Sequence, residues 1–135
     1  MFLRTALEQI PEIDPAGIPD VRIHGVSYDS RTCGEGYLFV AIKGENSDGA
    51  CFVKQAVTNG AVAIAAENPI EPVVNVPSVT VPDARRFLAD ISRIYYQDPT
   101  SKLKLAAITG TNGKTTTTYL IDSIFSRAGI RSCLA

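Results

Sequence analysis

Residues 106–118 read AAITGTNGKTTTT, and this stretch decides how the rest of the chain is read. A short apolar run, Leu103 to Ile108, stops at Gly110-Thr111-Asn112-Gly113-Lys114-Thr115-Thr116. Leu120, Ile121, Ile124, Phe125 and Ala128 then share one face at helical spacing. Strand, glycine turn, Lys-Thr and helix make the architecture of a phosphate-binding loop. The glycines let backbone N–H groups crowd round phosphates, and the helix start adds the positive end of its dipole. Lys114 is the candidate catalytic residue, a compact positive charge for the outer phosphates of ATP. The Thr115 hydroxyl is the candidate Mg²⁺ ligand. The longer motif G-x-x-x-x-G-K-[ST] needs glycine where this chain has Ile108, so the spelling is the shorter G-T-N-G-K-T. A glycine turn before a threonine-rich helix start is the plain alternative, but it gives no reason for lysine between glycine and threonine.

The chain has 135 residues, 45% hydrophobic and 20% charged, with a formal net charge of -1. Such a chain is long enough for one modest core. Its charge lacks the basic cluster of a nucleic-acid surface. No apolar run approaches the roughly 20 residues of a membrane helix, and the first residues do not read as a signal peptide. Cys33, Cys51 and Cys133 are widely spaced, without metal-ligand spacing, and are expected to be reduced, mostly buried thiols of a cytosolic protein. The lone His24 is expected to point outward from a strand.

In chain order, Phe2 to Ile10 forms a short amphipathic helix ended by Pro11. Val21 to Tyr28 reads as a strand closed by Asp29-Ser30-Arg31, with Asp29 and Arg31 a local ion pair holding the turn. Tyr37 to Ile42 is continuously apolar and reads as a strand buried on both faces. A polar loop spans Gly44 to Gly49. A helix through Phe52 to Val57 stops at Asn59-Gly60, and Ala61 to Ala65 is the next strand. Val73 to Val81 suggests one or two short strands. Asp83 caps a helix reaching Tyr95, and Tyr96 to Ser101 is the clearest linker. The expected fold is α/β, a small N-terminal domain over residues 1–98 followed by the first β-α-β unit of a P-loop domain over 99–135. That second unit is expected to be incomplete, the opening of a longer enzyme's central domain. No complete reaction and no sustained ATPase activity are expected of these residues alone.

The spelling GTNGKTT after Ile108-Thr109 closely resembles the ATP loop of the Mur ligases, the cytosolic enzymes that build the peptide stem of peptidoglycan. The resemblance extends upstream through Tyr28-Asp29-Ser30-Arg31, Leu38 to Gly44, Asp48-Gly49 and Gly60-Ala61, which match the family's N-terminal UDP-binding domain. Ile94 to Pro99, together with TGTNGKTTT, is similar to the branch that adds the third residue of the stem. The resemblance implies an ATP- and Mg²⁺-dependent ligase of the bacterial cytoplasm, monomeric at full length. Its substrates would be UDP-N-acetylmuramoyl-L-Ala-D-Glu and an amino acid, meso-diaminopimelate or lysine, joined through an acyl phosphate.

It also implies that Tyr28 and Ser30 contact the nucleotide sugar. Ser30 would offer its hydroxyl to a uridine or pyrophosphate oxygen, with a turn-closing hydroxyl as the alternative. Glu45, Asn46 and Ser47 occupy the loop where relatives often carry His-Gln-Ala. A carboxylate near a pyrophosphate would repel it, so Glu45 is expected to point away or to leave binding to backbone N–H groups; a solvated loop is the alternative. Three rival readings stay open: the D-Ala-D-Ala-adding sister ligase, a non-catalytic UDP-sugar-binding module, and a general P-loop ATPase.

Overall fold

The computed structural model describes residues 1–44, 48–70 and 75–134. Two compact units divide the chain, Met1–Pro99 and Thr100–Ala135.

The first unit is built on a parallel four-stranded sheet in the order β1-β2-β3-β4. Its strands are β1 (Gly25–Ser27), β2 (Tyr37–Ala41), β3 (Ala61–Ala66) and β4 (Ser78–Thr80). Helices α1 (Leu3–Leu7), α2 (Val53–Thr58) and α3 (Ala84–Tyr95) cover it. The continuous apolar run of β2 is explained by the two faces it fills. Leu38 and Val40 join one core with Leu3, Leu7, Ile23, Phe87 and Ile91. Phe39 and Ala41 join the other with Cys33, Val53, Ala56 and Ile64. Successive strand residues point to opposite faces, so burial on both faces leaves no room for a polar alternation.

The small side chains of β3 follow the same logic with one interruption. Tyr37 pairs with Ala61 and Leu38 with Ala63, so Val62 is an extra residue on β3. Val62 and Ala63 both pack on the α1/α3 side, and the alternation resumes with Ile64 on the other. A bulge of this kind resets which face a strand presents.

Several sequence expectations shift at their ends. The strand expected over Val21 to Tyr28 joins the sheet only at Gly25–Ser27. Residues 21–23 pair instead with the N-terminus, Leu3 N–H donating to the Val21 carbonyl at 2.8 Å and Ile23 N–H to Met1 at 2.8 Å. The first helix ends at Leu7, and the chain tightens into three-residue hydrogen bonds, Gln9 N–H to Ala6 and Ile10 N–H to Leu7. Pro11 disfavours the helical region for Ile10, so the last turn cannot stay α-helical. His24 is exposed, as expected. Its carbonyl accepts the Tyr95 hydroxyl hydrogen bond that ties the end of α3 to the start of β1. Of the three cysteines only Cys33 is buried; Cys51 and Cys133 are exposed. Cys51 lies in a surface 3₁₀ turn, Gly49–Phe52, which buries none of its residues. Burial pushes the Cys33 thiol up, against the opposing hydrogen bond from Ser27. Val73 and Val74 lie outside the described residues.

A 3₁₀ turn, Pro99–Lys102, crosses from the first unit into the second, whose described residues hold one helix, α4 (Lys114–Arg127). Where the β-α-β unit calls for strands, over Leu103 to Ile108 and beyond the helix, the described residues form no ladder. A strand exists only where a neighbour takes its N–H and C=O groups, and these segments pair with none of the described residues. Among the described residues the expected β-α-β unit is therefore one helix between two unpaired segments. Gly129, at φ 71°, ends α4: Ile130 N–H reaches the Phe125 carbonyl at 2.9 Å and Gly129 N–H reaches Ser126 at 3.1 Å. No described helix is long and apolar enough to cross a membrane.

Candidate functional site

Two separate features carry chemistry, one in each unit. In the first, the turn after β1 is locked from several sides. Asp29 caps the 3₁₀ turn Ser30–Thr32, its carboxylate accepting from Arg31 N–H at 3.0 Å. The expected ion pair is present, Arg31 Nη2 to Asp29 Oδ2 at 2.6 Å and Arg31 Nε to Oδ1 at 2.9 Å. These hydrogen bonds from the Arg31 side chain and backbone hold the Asp29 carboxyl down at about 2. Ser27 Oγ shares a hydrogen with Thr32 Oγ1 at 2.8 Å and donates to the Asp29 carbonyl at 3.0 Å, closing the turn from below.

Within this frame Tyr28 is 66% exposed, and Ser30 only 5%. The Ser30 hydroxyl donates to Gln55 Oε1 at 2.7 Å, and the Ser30 carbonyl accepts from Asn59 Nδ2 at 2.8 Å. Gln55 and Asn59 were not singled out from the sequence, beyond Asn59 as a helix end. Their spacing of four residues was the available signal, since it puts both amides on one face of α2.

At the carboxyl ends of β2 and β3 an open cleft encloses about 260 Å³, solvent included, lined by Ala41, Lys43, Asp48, Ala50, Ala66, Glu67 and Asn68. Open α/β sheets take ligands outside the carboxyl ends of their strands. Lys43 and Asp48 form a β-bridge that closes the loop between them. Glu45, Asn46 and Ser47, which come between them in the sequence, lie outside the described residues. Gly49 N–H donates to the Ile42 carbonyl at 3.0 Å, and a Cβ on Gly49 would lie 2.6 Å from Ile42 backbone atoms. No side chain fits there. Both cleft carboxylates are engaged with backbone donors. Asp48 Oδ1 accepts from Ala50 N–H at 2.9 Å, and Glu67 Oε1 accepts from Ala84 N–H at 3.0 Å.

In the second unit the loop Gly110 to Thr116 runs into α4. Gly113 sits at φ 77° as the N-cap, with no side-chain hydrogen bond to the helix start. A Cβ there would meet nothing within 4 Å, so it is the left-handed backbone and not space that calls for glycine. The first-turn N–H groups face outward without a capping side chain, which suits an anion. Lys114 Nζ donates to the Gly110 carbonyl at 2.7 Å, so the ammonium spans the loop from the helix to its first glycine. Thr118 is tied to the helix, its hydroxyl donating to the Lys114 carbonyl at 2.8 Å. Thr115 and Thr116 lie in the exposed first turn. This arrangement fits the phosphates of ATP. Thr115 would offer its hydroxyl to a Mg²⁺ ion, and the described residues hold no group of three or more His, Cys, Asp or Glu placed for a metal.

Comparisons with known proteins match both units. The family model described as Mur ligase family, catalytic domain, covers residues 22–96, and that of the Mur ligase middle domain covers residues 108–134. The chain is 48% identical over 111 residues to the UDP-N-acetylmuramoyl-L-alanyl-D-glutamate–2,6-diaminopimelate ligase of Caldanaerobacter subterraneus subsp. tengcongensis, covering 82% of this chain and 23% of that protein. It is 46% identical over 131 residues to the ligase of the same name from Geobacillus thermodenitrificans, covering 96% and 26%. Among solved structures, MurF from Acinetobacter baumannii superposes with a TM-score of 0.69 at 33% identity, over 92% of this chain and 27% of that one. The MurF ligase of Thermotoga maritima in complex with ADP gives 0.54 at 29%, over 79% and 24%. The chain thus spans about a quarter of the length of the curated relatives it matches. A parallel-sheet unit followed by a glycine-lysine-threonine loop, both matched in order, leads to one conclusion: the chain belongs to the Mur ligase family.

Proposed function

We propose that residues 1–98 bind a UDP-linked sugar and residues 99–135 open the ATP-binding domain of a ligase that adds diaminopimelate to UDP-N-acetylmuramoyl-L-Ala-D-Glu. The observation that carries this reading is the 46% identity over 131 residues to a ligase named for that reaction, a match long enough to span both the sheet unit and the phosphate loop. ATP supplies the phosphate leaving group that a carboxylate needs before an amine can displace it. The chain's own part is electrostatic and positional. Lys114 brings a positive charge to the outer phosphates, and the first-turn N–H groups of α4 add the helix dipole. Gly110, Thr111, Asn112, Gly113 and Thr116 shape the loop around them, and Thr115 is the residue that would hold Mg²⁺ beside them.

In the first unit Tyr28 offers an exposed ring to stack on a base or sugar, and Ser30 a fixed polar atom beside it. Lys43 lines the cleft, where its charge suits a diphosphate. The shared fold with MurF keeps the sister ligase as the second reading.

Two experiments test the proposal. NMR titration of the chain with UDP-N-acetylmuramoyl-L-Ala-D-Glu should shift amides of residues 28–32 and 43–50, and ATP with Mg²⁺ those of 110–117. Silence at both loops with millimolar ligand overturns the reading. Grafting the chain in place of the matched segment of the Geobacillus enzyme should give diaminopimelate-dependent ADP release, reduced about a hundredfold or more by Lys114→Met. Release driven by D-Ala-D-Ala but not by diaminopimelate would favour the sister ligase.

A further inference from the structure

The Ser30 hydroxyl carries one hydrogen, and that hydrogen is directed at Gln55 Oε1, 2.7 Å away. A hydroxyl has one donor and two lone pairs, so after this bond it can only accept. Ser30 is 5% exposed, and its carbonyl is held by Asn59 at 2.8 Å, so the backbone that carries the hydroxyl is held in place. The turn beneath is pinned by Asp29, Arg31 and Ser27. What reaches the Ser30 hydroxyl must therefore bring its own hydrogen. Phosphate oxygens bring none at neutral pH. A nucleoside does, through the ring N–H of uracil and the ribose hydroxyls.

Resting on the reading of Ser30 as a nucleotide-sugar contact, we propose that Gln55 is a positioning residue of that site: it takes the Ser30 hydrogen and fixes Ser30 as an acceptor for an N–H or O–H of the nucleoside, not a partner of the diphosphate. This departs from the sequence expectation, in which Ser30 offered its hydrogen to a uridine or pyrophosphate oxygen. Asn59, one helical turn further along α2, holds the backbone of the same residue. One face of one helix thus sets both the place and the polarity of the contact.

The test is a double-mutant cycle read by NMR titration with UDP and, in parallel, inorganic pyrophosphate, the amide spectrum reporting folding in the same samples. Ser30→Ala and Gln55→Ala should each weaken UDP binding by about fivefold, the worth of one hydrogen bond. In the Ser30→Ala background, Gln55→Ala should add nothing. Gln55→Glu keeps an acceptor oxygen and should recover most of the affinity that Gln55→Ala loses. Pyrophosphate affinity should change less than twofold for Ser30→Ala, Gln55→Ala and the double variant. If Ser30→Ala leaves UDP binding intact, the reading of the site itself fails, and the proposal with it. If Ser30→Ala weakens binding and Gln55→Ala does not, the site stands and the role of Gln55 is refuted. Equal losses from Gln55→Ala with and without Ser30, failed recovery by Gln55→Glu, or a matching loss for pyrophosphate would each refute it as well.

Discussion

Asp29 shows how much a single half-buried carboxylate can report. Its pKa is lowered from 3.8 to about 2, first by the side-chain hydrogen bond from Arg31 and then by the backbone N–H of the same residue. A depressed carboxyl favours the folded turn above its ordinary value and loses that advantage as pH falls through 3.8 toward 2. The Arg31 side chain is 79% exposed, so water and salt screen the pair and its share of global stability is small. The local consequence is sharper, because the same turn carries Tyr28 and Ser30. Carboxyl ¹³C titration should place the Asp29 midpoint near 2. Arg31→Gln should raise it toward 3.8, and molar salt should do the same in part. A midpoint that ignores Arg31→Gln would mean the backbone N–H alone sets it. Below the midpoint, UDP-induced shifts at residues 28–32 should weaken together with the turn.

At the scale of elements, α3 is the best-specified piece of the chain. Asp83 Oδ1 accepts from Arg85 N–H at 2.8 Å and from Arg86 N–H at 2.9 Å, while Glu67, at the end of β3, accepts from Ala84 N–H at 3.0 Å. Two carboxylates therefore occupy this helix start, which satisfies its donors and leaves it no role in binding phosphate. Asp83→Ala should cost about 1 kcal/mol and lower Tm by roughly 4–8 °C in a unit of this size, measured by thermal denaturation of circular dichroism. An unchanged Tm would assign the capping to Glu67. The Asp83 cap and the apolar spacing of Phe87 and Ile91 were legible in the sequence because both are local. So was the two-faced burial of β2, written in an unbroken apolar run, and so was the phosphate loop, whose chemistry sits in consecutive residues. The shortening of the first strand was not legible, since residues 21–23 pair with the N-terminus some 20 positions away. Nor was Gln55, which meets Ser30 across 25 residues. Contacts of that separation depend on how α2 settles on the sheet, and no local pattern encodes them.

The two units of the molecule differ in what holds their backbone. In the first, β2 and β3 are flanked by strands on both sides and by apolar cores on both faces. Their amides can open only when the core opens. In the second, α4 buries none of its residues, and Leu120 and Ile124 are 60% and 63% exposed. Its 14 residues are held by their own hydrogen bonds and the glycine-ended C-terminus. A helix of that length is marginal in water on propensity alone, and the four threonines after Lys114 lower that propensity. Hydrogen exchange should therefore separate the two units by orders of magnitude. Amides of residues 38–41 and 63–66 should exchange only through global unfolding, and those of 117–127 close to the rate of a fraying peptide helix. ATP with Mg²⁺ should slow exchange at 114–118 first, since binding at the helix start adds to the free energy of its ordered state. Equal protection in the two units without nucleotide would show that the exposed Leu120 and Ile124 face is covered in solution, and exchange that slows with rising protein concentration would identify a second copy of the chain as its cover.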